Sequence, residues 1–216
     1  LDYFGITGTN GKTTTAFYLN QLIGEENLFV GTIDEKEKYF FTNEKILTTP
    51  KLFNIVKMIS LQKNKIKSVS LEVSSHALDQ NRLGNLEFLN SGFTNLSQDH
   101  LDYHGSLKNY LNTKAKLFQK GVSEKFVYIE SEDTNDLLKA SDIASYSIGS
   151  KQNSDVRFIK FSDNTLKFII DGYKVECELN LTGPKYIENF LLAFSMAYYS
   201  DKYLSLIHIS EPTRLC

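Results

Sequence analysis

The sequence predicts an α/β fold: a mainly parallel sheet flanked by helices, built around a phosphate-binding loop, with a small antiparallel β meander. Three observations carry this. The run Gly8-Thr9-Asn10-Gly11-Lys12-Thr13-Thr14 lies between a strand-like apolar stretch and a helix-like one. Strand-like and helical patterns then alternate, which is the signature of strands joined by crossover helices. Beyond Val156 the apolar residues switch to a period of two, interrupted by turn residues.

Element by element, residues 3–6 read as the first strand and 13–23 as the helix after the loop. A helix is expected over 50–61, with Pro50 suited to its first turn and Leu52, Ile55, Val56 and Ile59 on one buried face. Strands follow at 68–73 and 88–96, a helix at 107–118 and a strand at 126–129. Segments 156–161, 166–170 and 174–179 alternate around the turn signals SDN and Asp171-Gly172, giving the meander. A helix at 189–199 completes the pattern.

Composition narrows the class. With 216 residues and 41% hydrophobic content, the chain can bury an ordinary core as one large or two small domains. A net charge of −2 gives no general basic footprint for nucleic acid, and no apolar run reaches the length that spans a bilayer. Cys177 and Cys216 lack metal-ligand spacing, so no disulfide framework is expected and the setting is a reduced, cytoplasmic one. The chain opens on Leu1 with the loop close behind, and an upstream portion is expected to be missing. The run LSLIHISEPTR from Leu204 reads as a translated sequencing adaptor, so residues 1–203 are expected to be the native domain and 204–216 an artefact.

The loop is G-x-x-G-K-T, shorter than the common G-x-x-x-x-G-K-[ST] form. Its glycines let backbone N–H groups turn inward around phosphate oxygens, Lys12 supplies a positive charge and the following hydroxyl can ligate Mg²⁺. A glycine turn with no ligand is the alternative, and Lys12, Thr13 and the flanking elements favour a nucleoside triphosphate. Three more polar clusters follow strands, where open α/β sheets collect ligands. In SVSLEVSSHALDQNR, Glu72 interrupts a buried strand, which suits Mg²⁺ or a buried salt bridge equally. In FTNLSQDHLDYHG, His100 can face the nucleotide, while Asp102 and His104 read as a solvated turn with an N-cap. In SLKNYLNTKAKLF, Lys114 and Lys116 cannot share a face, and a surface lysine is the ordinary reading.

GTNGKTTT, Thr48-Thr49-Pro50, EVSSHALDQNR and FTNLSQDHLDYHGSLKNYLNTKAKLF occur together in this order. In them the chain resembles the central domain of a Mur ligase, closest to the MurE type that adds the third residue of the peptidoglycan stem peptide. The resemblance implies ATP bound by Gly8, Thr9, Asn10, Gly11, Lys12, Thr13 and Thr14, with Asn189 near the adenine. It implies Mg²⁺ held by Thr13, Glu72 and His100, and a carbamylated Lys114 that ligates or organises a second Mg²⁺. Thr48, Thr49, Ser74, Gln80 and Arg82 match residues that hold UDP-MurNAc-L-Ala-D-Glu. Two departures stand out: Tyr186 replaces the first asparagine of the G-x-[FY]-N-x-x-N pattern, and Gln98 stands where arginine is frequent.

The implied reaction is phosphorylation of the dipeptide's terminal carboxylate by ATP, followed by attack of an amino-acid amine on the acyl phosphate. Lys12, His100, Glu72 and Lys114 would act by charge stabilisation and positioning. The incoming amino acid is meso-diaminopimelate or lysine, a choice that belongs to the family's C-terminal domain. A monomer is expected, inactive as a ligase without the family's N- and C-terminal domains. Other amide ligases with this loop, such as folylpolyglutamate and cyanophycin synthetases, are disfavoured by SSHALDQNR and DHLDYHG, and a nucleotide-binding module without chemistry is disfavoured by Glu72, His100 and Lys114 together.

Overall fold

The computed structural model describes residues 1–32, 47–62, 65–181 and 183–201. The expected native boundary at Tyr203 and the adaptor-like stretch 204–216 lie outside the described residues.

Among the described residues, nine strands form one sheet in the order β2-β3-β1-β4-β5-β6-β7-β8-β9. The first strand, β1 (Asp2–Thr7), pairs in parallel with β3 (Ser68–Glu72) on one side and β4 (Asn90–Phe93) on the other. All five residues of β3 and all four of β4 are buried, as expected for strands covered by helices on both faces. Parallel pairing continues outward through β2 (Asn27–Val30) on one flank and through β5 (Lys125–Ile129), β6 (Ala144–Gly149) and β7 (Val156–Ser162) on the other. The sheet then changes sense. β8 (Thr165–Ile170) and β9 (Tyr173–Glu178) complete an antiparallel meander with β7. Its hairpins turn at Asp163-Asn164 and Asp171-Gly172, all four residues having positive φ, which matches the twist of tight two-residue hairpins.

Two hydrophobic layers sandwich the sheet. On one face α1 (Lys12–Ile23) and α7 (Pro184–Tyr198) bring Ala16, Leu19, Leu192 and Phe194 onto Phe4 and Ile6. The opposite layer joins Ile55 of α2 (Leu52–Leu61) to Val69, Leu71, Phe93 and Phe118. Helix α7 lies directly on β4, where Gly92 leaves room for Met196, and Asn90 Nδ2 donates to the Met196 carbonyl at 3.0 Å.

Several expectations are corrected. Strand 88–96 contracts to Asn90–Phe93, with Phe88 making only an isolated bridge to Ser123. Pro50 precedes α2, whose N-cap is Lys51, and of the expected buried face only Ile55 is fully enclosed; Val56 and Phe53 point outward, 51% and 77% exposed. α7 starts at Pro184, five residues before the expected helix, because proline suits a helix's first position. β2, β6, α6 (Thr134–Lys139) and the short helices α3 (Ser75–Asp79) and α4 (Leu101–His104) had no counterpart in the pattern. Among the described residues, no helix is long and apolar enough to cross a membrane.

Candidate nucleotide and metal site

β1, β3 and β4 end side by side, and the chain leaves them in different directions: from β1 toward the β2 flank, from β4 toward β5. Such a switch point opens a crevice at the carboxyl edge of a parallel sheet. The phosphate loop, Glu72 and the segment from Thr94 all emerge there.

The loop is held from outside itself. Thr9 N donates to the Asn95 carbonyl at 2.8 Å, and Asn95 closes around the Asn10 peptide: its Oδ1 accepts from Asn10 N at 3.0 Å and its Nδ2 donates to Asn10 O at 3.1 Å. Thr94 Oγ1 also donates to Asn10 O, at 2.6 Å. Gly8 (φ 140°) and Gly11 (φ 87°) take conformations that disfavour side chains. A methyl at Gly8 would collide with Thr94 Oγ1, and one at Gly11 with the Asn189 carboxamide. Gly11 caps α1 without any side-chain hydrogen bond, so the amides of the helix's first turn are left facing the crevice. A glycine-lined cradle at an uncapped helix N-terminus is a fitting seat for phosphate.

Two lysines close on this cradle. Lys12 Nζ donates to the carbonyls of Gly8 at 3.0 Å and Thr9 at 2.7 Å. Lys114, on α5 (Leu107–Ala115), is 1% exposed and donates to the same Gly8 carbonyl at 2.8 Å, its Nζ 4.1 Å from the centre of the Tyr110 ring. Burial lowers the Lys12 amine against the opposing charges of Glu72 and Asp99. Burial, reinforced by the Lys12 charge and opposed by Asp99, brings Lys114 down to about 6. Lys116 points outward and pairs with Asp79 at 3.4 Å. The ordinary reading of a surface lysine thus fits Lys116 and is overturned for Lys114.

Glu72 is 1% exposed at the end of β3. Its Oε1 accepts from Thr32 N at 2.7 Å and its Oε2 from Thr32 Oγ1 at 3.0 Å, so neutral donors satisfy it without a salt bridge among the described residues. Thr13 lies in the first turn of α1. His100, with φ 51°, caps α4, and its half-exposed ring lies 4.9 Å from His76. His104 departs from the expected solvated turn: it is buried, with Nε2 2.9 Å from Ser75 Oγ and its ring 5.0 Å from Tyr110. Asp102 stays exposed in the first turn of α4 and does not cap it. Among the described residues, no three histidine, cysteine or acidic side chains form a metal cage. Mg²⁺ at phosphates takes oxygen ligands, only one or two of them from the protein; Thr13 and Glu72 carry oxygens of that kind, whereas His100 offers a ring nitrogen.

The residues matched to the sugar-peptide substrate form a connected patch beside Glu72. Thr49 is buried; its Oγ1 donates to the Glu72 carbonyl at 2.8 Å and accepts from Ser74 N at 2.9 Å. Arg82 Nη1 donates to the Thr49 carbonyl at 3.3 Å, and its Nε to Gln80 Oε1 at 2.9 Å. Thr48 precedes them, partly buried. Sequence reasoning passed over Thr94, Asn95 and Tyr110, which hold the loop. Their only signal was membership of the FTN and NYLNTK runs.

Fold and site define a phosphate-loop α/β domain with a second lysine at the loop. The sequence profile of the Mur ligase middle domain matches residues 6–197, and the chain belongs to that family. It is similar to the UDP-N-acetylmuramoyl-L-alanyl-D-glutamate--2,6-diaminopimelate ligases of Aquifex aeolicus (36% identity over 213 residues, 92% of this chain and 42% of the relative) and Caldanaerobacter subterraneus subsp. tengcongensis (32% over 206 residues, 91% and 42%). A solved structure of a ligase of that name superposes with a TM-score of 0.80 at 24% identity, covering 100% of this chain and 48% of the other. The MurF ligase of Thermotoga maritima in complex with ADP gives 0.65 at 14%, covering 97% and 48%. The chain spans 42% of the length of each of these two curated relatives.

Proposed function

We propose that this chain is the nucleotide-binding domain of an ATP-dependent ligase that joins an amino acid, diaminopimelate or lysine, to UDP-MurNAc-L-Ala-D-Glu in the cytoplasm. The observation that carries the reading is the meeting of Lys12 and Lys114 at the carbonyl of Gly8, inside a glycine cradle open to phosphate. Support also comes from relatives whose names specify that dipeptide and diaminopimelate.

The first-turn amides of α1 and Lys12 would hold the outer phosphates as a carboxylate attacks the terminal one, with charge spread over its oxygens throughout. Thr13, Glu72 and His100 would hold Mg²⁺, which supplies further charge neutralisation. Lys114 would act as its carbamate. Asn189 would meet the base end of the nucleotide, and Thr48, Thr49, Ser74, Gln80 and Arg82 would grip the UDP-sugar dipeptide, Arg82 by paired N–H donation to carboxylate or phosphate. The test is calorimetric titration of the chain with Mg-ATP and, separately, with UDP-MurNAc-L-Ala-D-Glu. Saturable binding of both is expected; binding of nucleotide alone would reduce the chain to a nucleotide module.

A further inference from the structure

Lys114 is seated by an aromatic ring as well as by a carbonyl. Tyr110 and Lys114 are one turn apart on α5 and so share a face. The ring is 1% exposed and lies under Nζ. Its hydroxyl oxygen is 3.4 Å from Thr9 Oγ1, which also accepts from Ser97 N at 3.0 Å. Behind the ring, His104 packs at 5.0 Å and is itself fixed through Ser75. Tyr110 is thereby buried between the phosphate loop and α4, with α3 reaching it through His104.

We propose that Tyr110 is the positioning residue of the Lys114 amine: its ring fixes Nζ against the Gly8 carbonyl and decides which side of the nitrogen meets carbon dioxide. This rests on the carbamate reading of Lys114. In that step the nitrogen lone pair of the neutral amine forms a bond to the carbon of CO₂, one C=O electron pair moves onto oxygen, and one N–H proton leaves to solvent. The product keeps a single N–H. Gly8 O accepts it, the ring covers a second side, and the new carboxylate is directed away from both. A lysine without the ring could turn its nitrogen freely, and the carboxylate would be spread over several directions.

The test uses the chain equilibrated with isotopically labelled bicarbonate, with the carbamate signal read by NMR and assigned by its loss in Lys114→Met. Tyr110→Phe keeps the ring and should hold carbamate occupancy within about twofold of the unsubstituted chain, whereas Tyr110→Met, similar in bulk and without a ring, should lose at least about fivefold. A through-space contact between the ring of residue 110 and the Lys114 ε-methylene should appear in both the unsubstituted chain and Tyr110→Phe. Its absence overturns the role even where Tyr110→Met does not fold, and so does equal loss in the Phe and Met variants. No Lys114-dependent signal in the unsubstituted chain overturns the carbamate reading, and with it this proposal; a signal present there and unchanged in folded Tyr110→Met overturns the Tyr110 role alone.

Discussion

Lys12 and Lys114 aim their amines at one acceptor, the carbonyl oxygen of Gly8, at 3.0 and 2.8 Å. Two ammonium groups that close would repel strongly in a site with little water. The conflict is resolved by unequal burial, which takes the more enclosed amine, Lys114, to about 6 and leaves it neutral at physiological pH. Lys114 is thereby left with a free nitrogen lone pair at the loop, while Lys12, lowered by burial as well, is held against that shift by Glu72 and Asp99.

That inequality has a pH signature. The unfolded chain keeps the Lys114 amine protonated up to about its ordinary 10.5, while the folded chain releases the proton near 6. Between those values the unfolded state binds more protons, so stability rises with pH, and the burial penalty is complete below about pH 6. In CO₂-free buffer, the stability of the chain relative to Lys114→Met should climb by up to about 1.4 kcal/mol per pH unit across this window in denaturant titrations. Parallel curves would mean that the amine is not buried as described.

Lys12→Ala should weaken Mg-nucleotide binding about 10- to 100-fold, the worth of a charge-assisted contact to phosphate, with little change in thermal unfolding. Among the described residues its amine donates to two loop carbonyls, those of Gly8 and Thr9. Fluorescent-nucleotide titration beside a melting curve checks both halves.

Gly11→Ala should cost stability twice, once for a methyl at φ 87° and once for its collision with Asn189. The backbone part is about 1–2 kcal/mol. Adding Asn189→Ala should recover the collision part alone, so a double-mutant cycle by denaturant unfolding should show favourable coupling. Strict additivity would contradict the contact.

Glu72→Gln should destabilise the fold by about 1–3 kcal/mol, because an amide nitrogen would face one of the two Thr32 donors. Thr32→Val removes only the hydroxyl donor. If Glu72 also serves the metal, its substitution should lower Mg²⁺ dependence of nucleotide binding, whereas Thr32→Val should leave that dependence near its starting value.

Arg82→Ala should reduce affinity for the UDP-sugar dipeptide about tenfold while changing nucleotide affinity less than about twofold. Arg82 is tied to Thr49 and Gln80, and no contact joins it to the phosphate loop among the described hydrogen bonds. Equal losses for both ligands would count against its assignment.

Strands β1, β3 and β5 and the meander were legible because continuous apolar runs and strict alternation are local properties of sequence. The polar strand ASYSIG was not, since its burial comes from neighbouring strands rather than from its own composition, and the four-residue NLFV is too short a run for periodicity to single out. At the site, Lys12 was readable from the loop's chemistry. Lys114 was not: on spacing alone it is one lysine among several on a helix, and only the family resemblance singled it out. His104 was misread as solvated because nothing local announces that Ser75 and Tyr110 enclose it. Asn95 went unnoticed for the same reason, its partners lying 85 residues away in the loop that follows the neighbouring strand β1.

The loop's supports come from far along the chain: Asn95 is 85 residues from Asn10, Lys114 is 106 from Gly8, and Asn189 reaches Gly11 from α7. A nascent chain has made its glycine cradle long before it has made anything to hold it. On the proposed function, nucleotide affinity would be acquired only when α7 docks, and bound nucleotide would stabilise the sheet together with the loop. Protection from proteolysis by nucleotide should accordingly extend through β1, β4, α5 and α7 together.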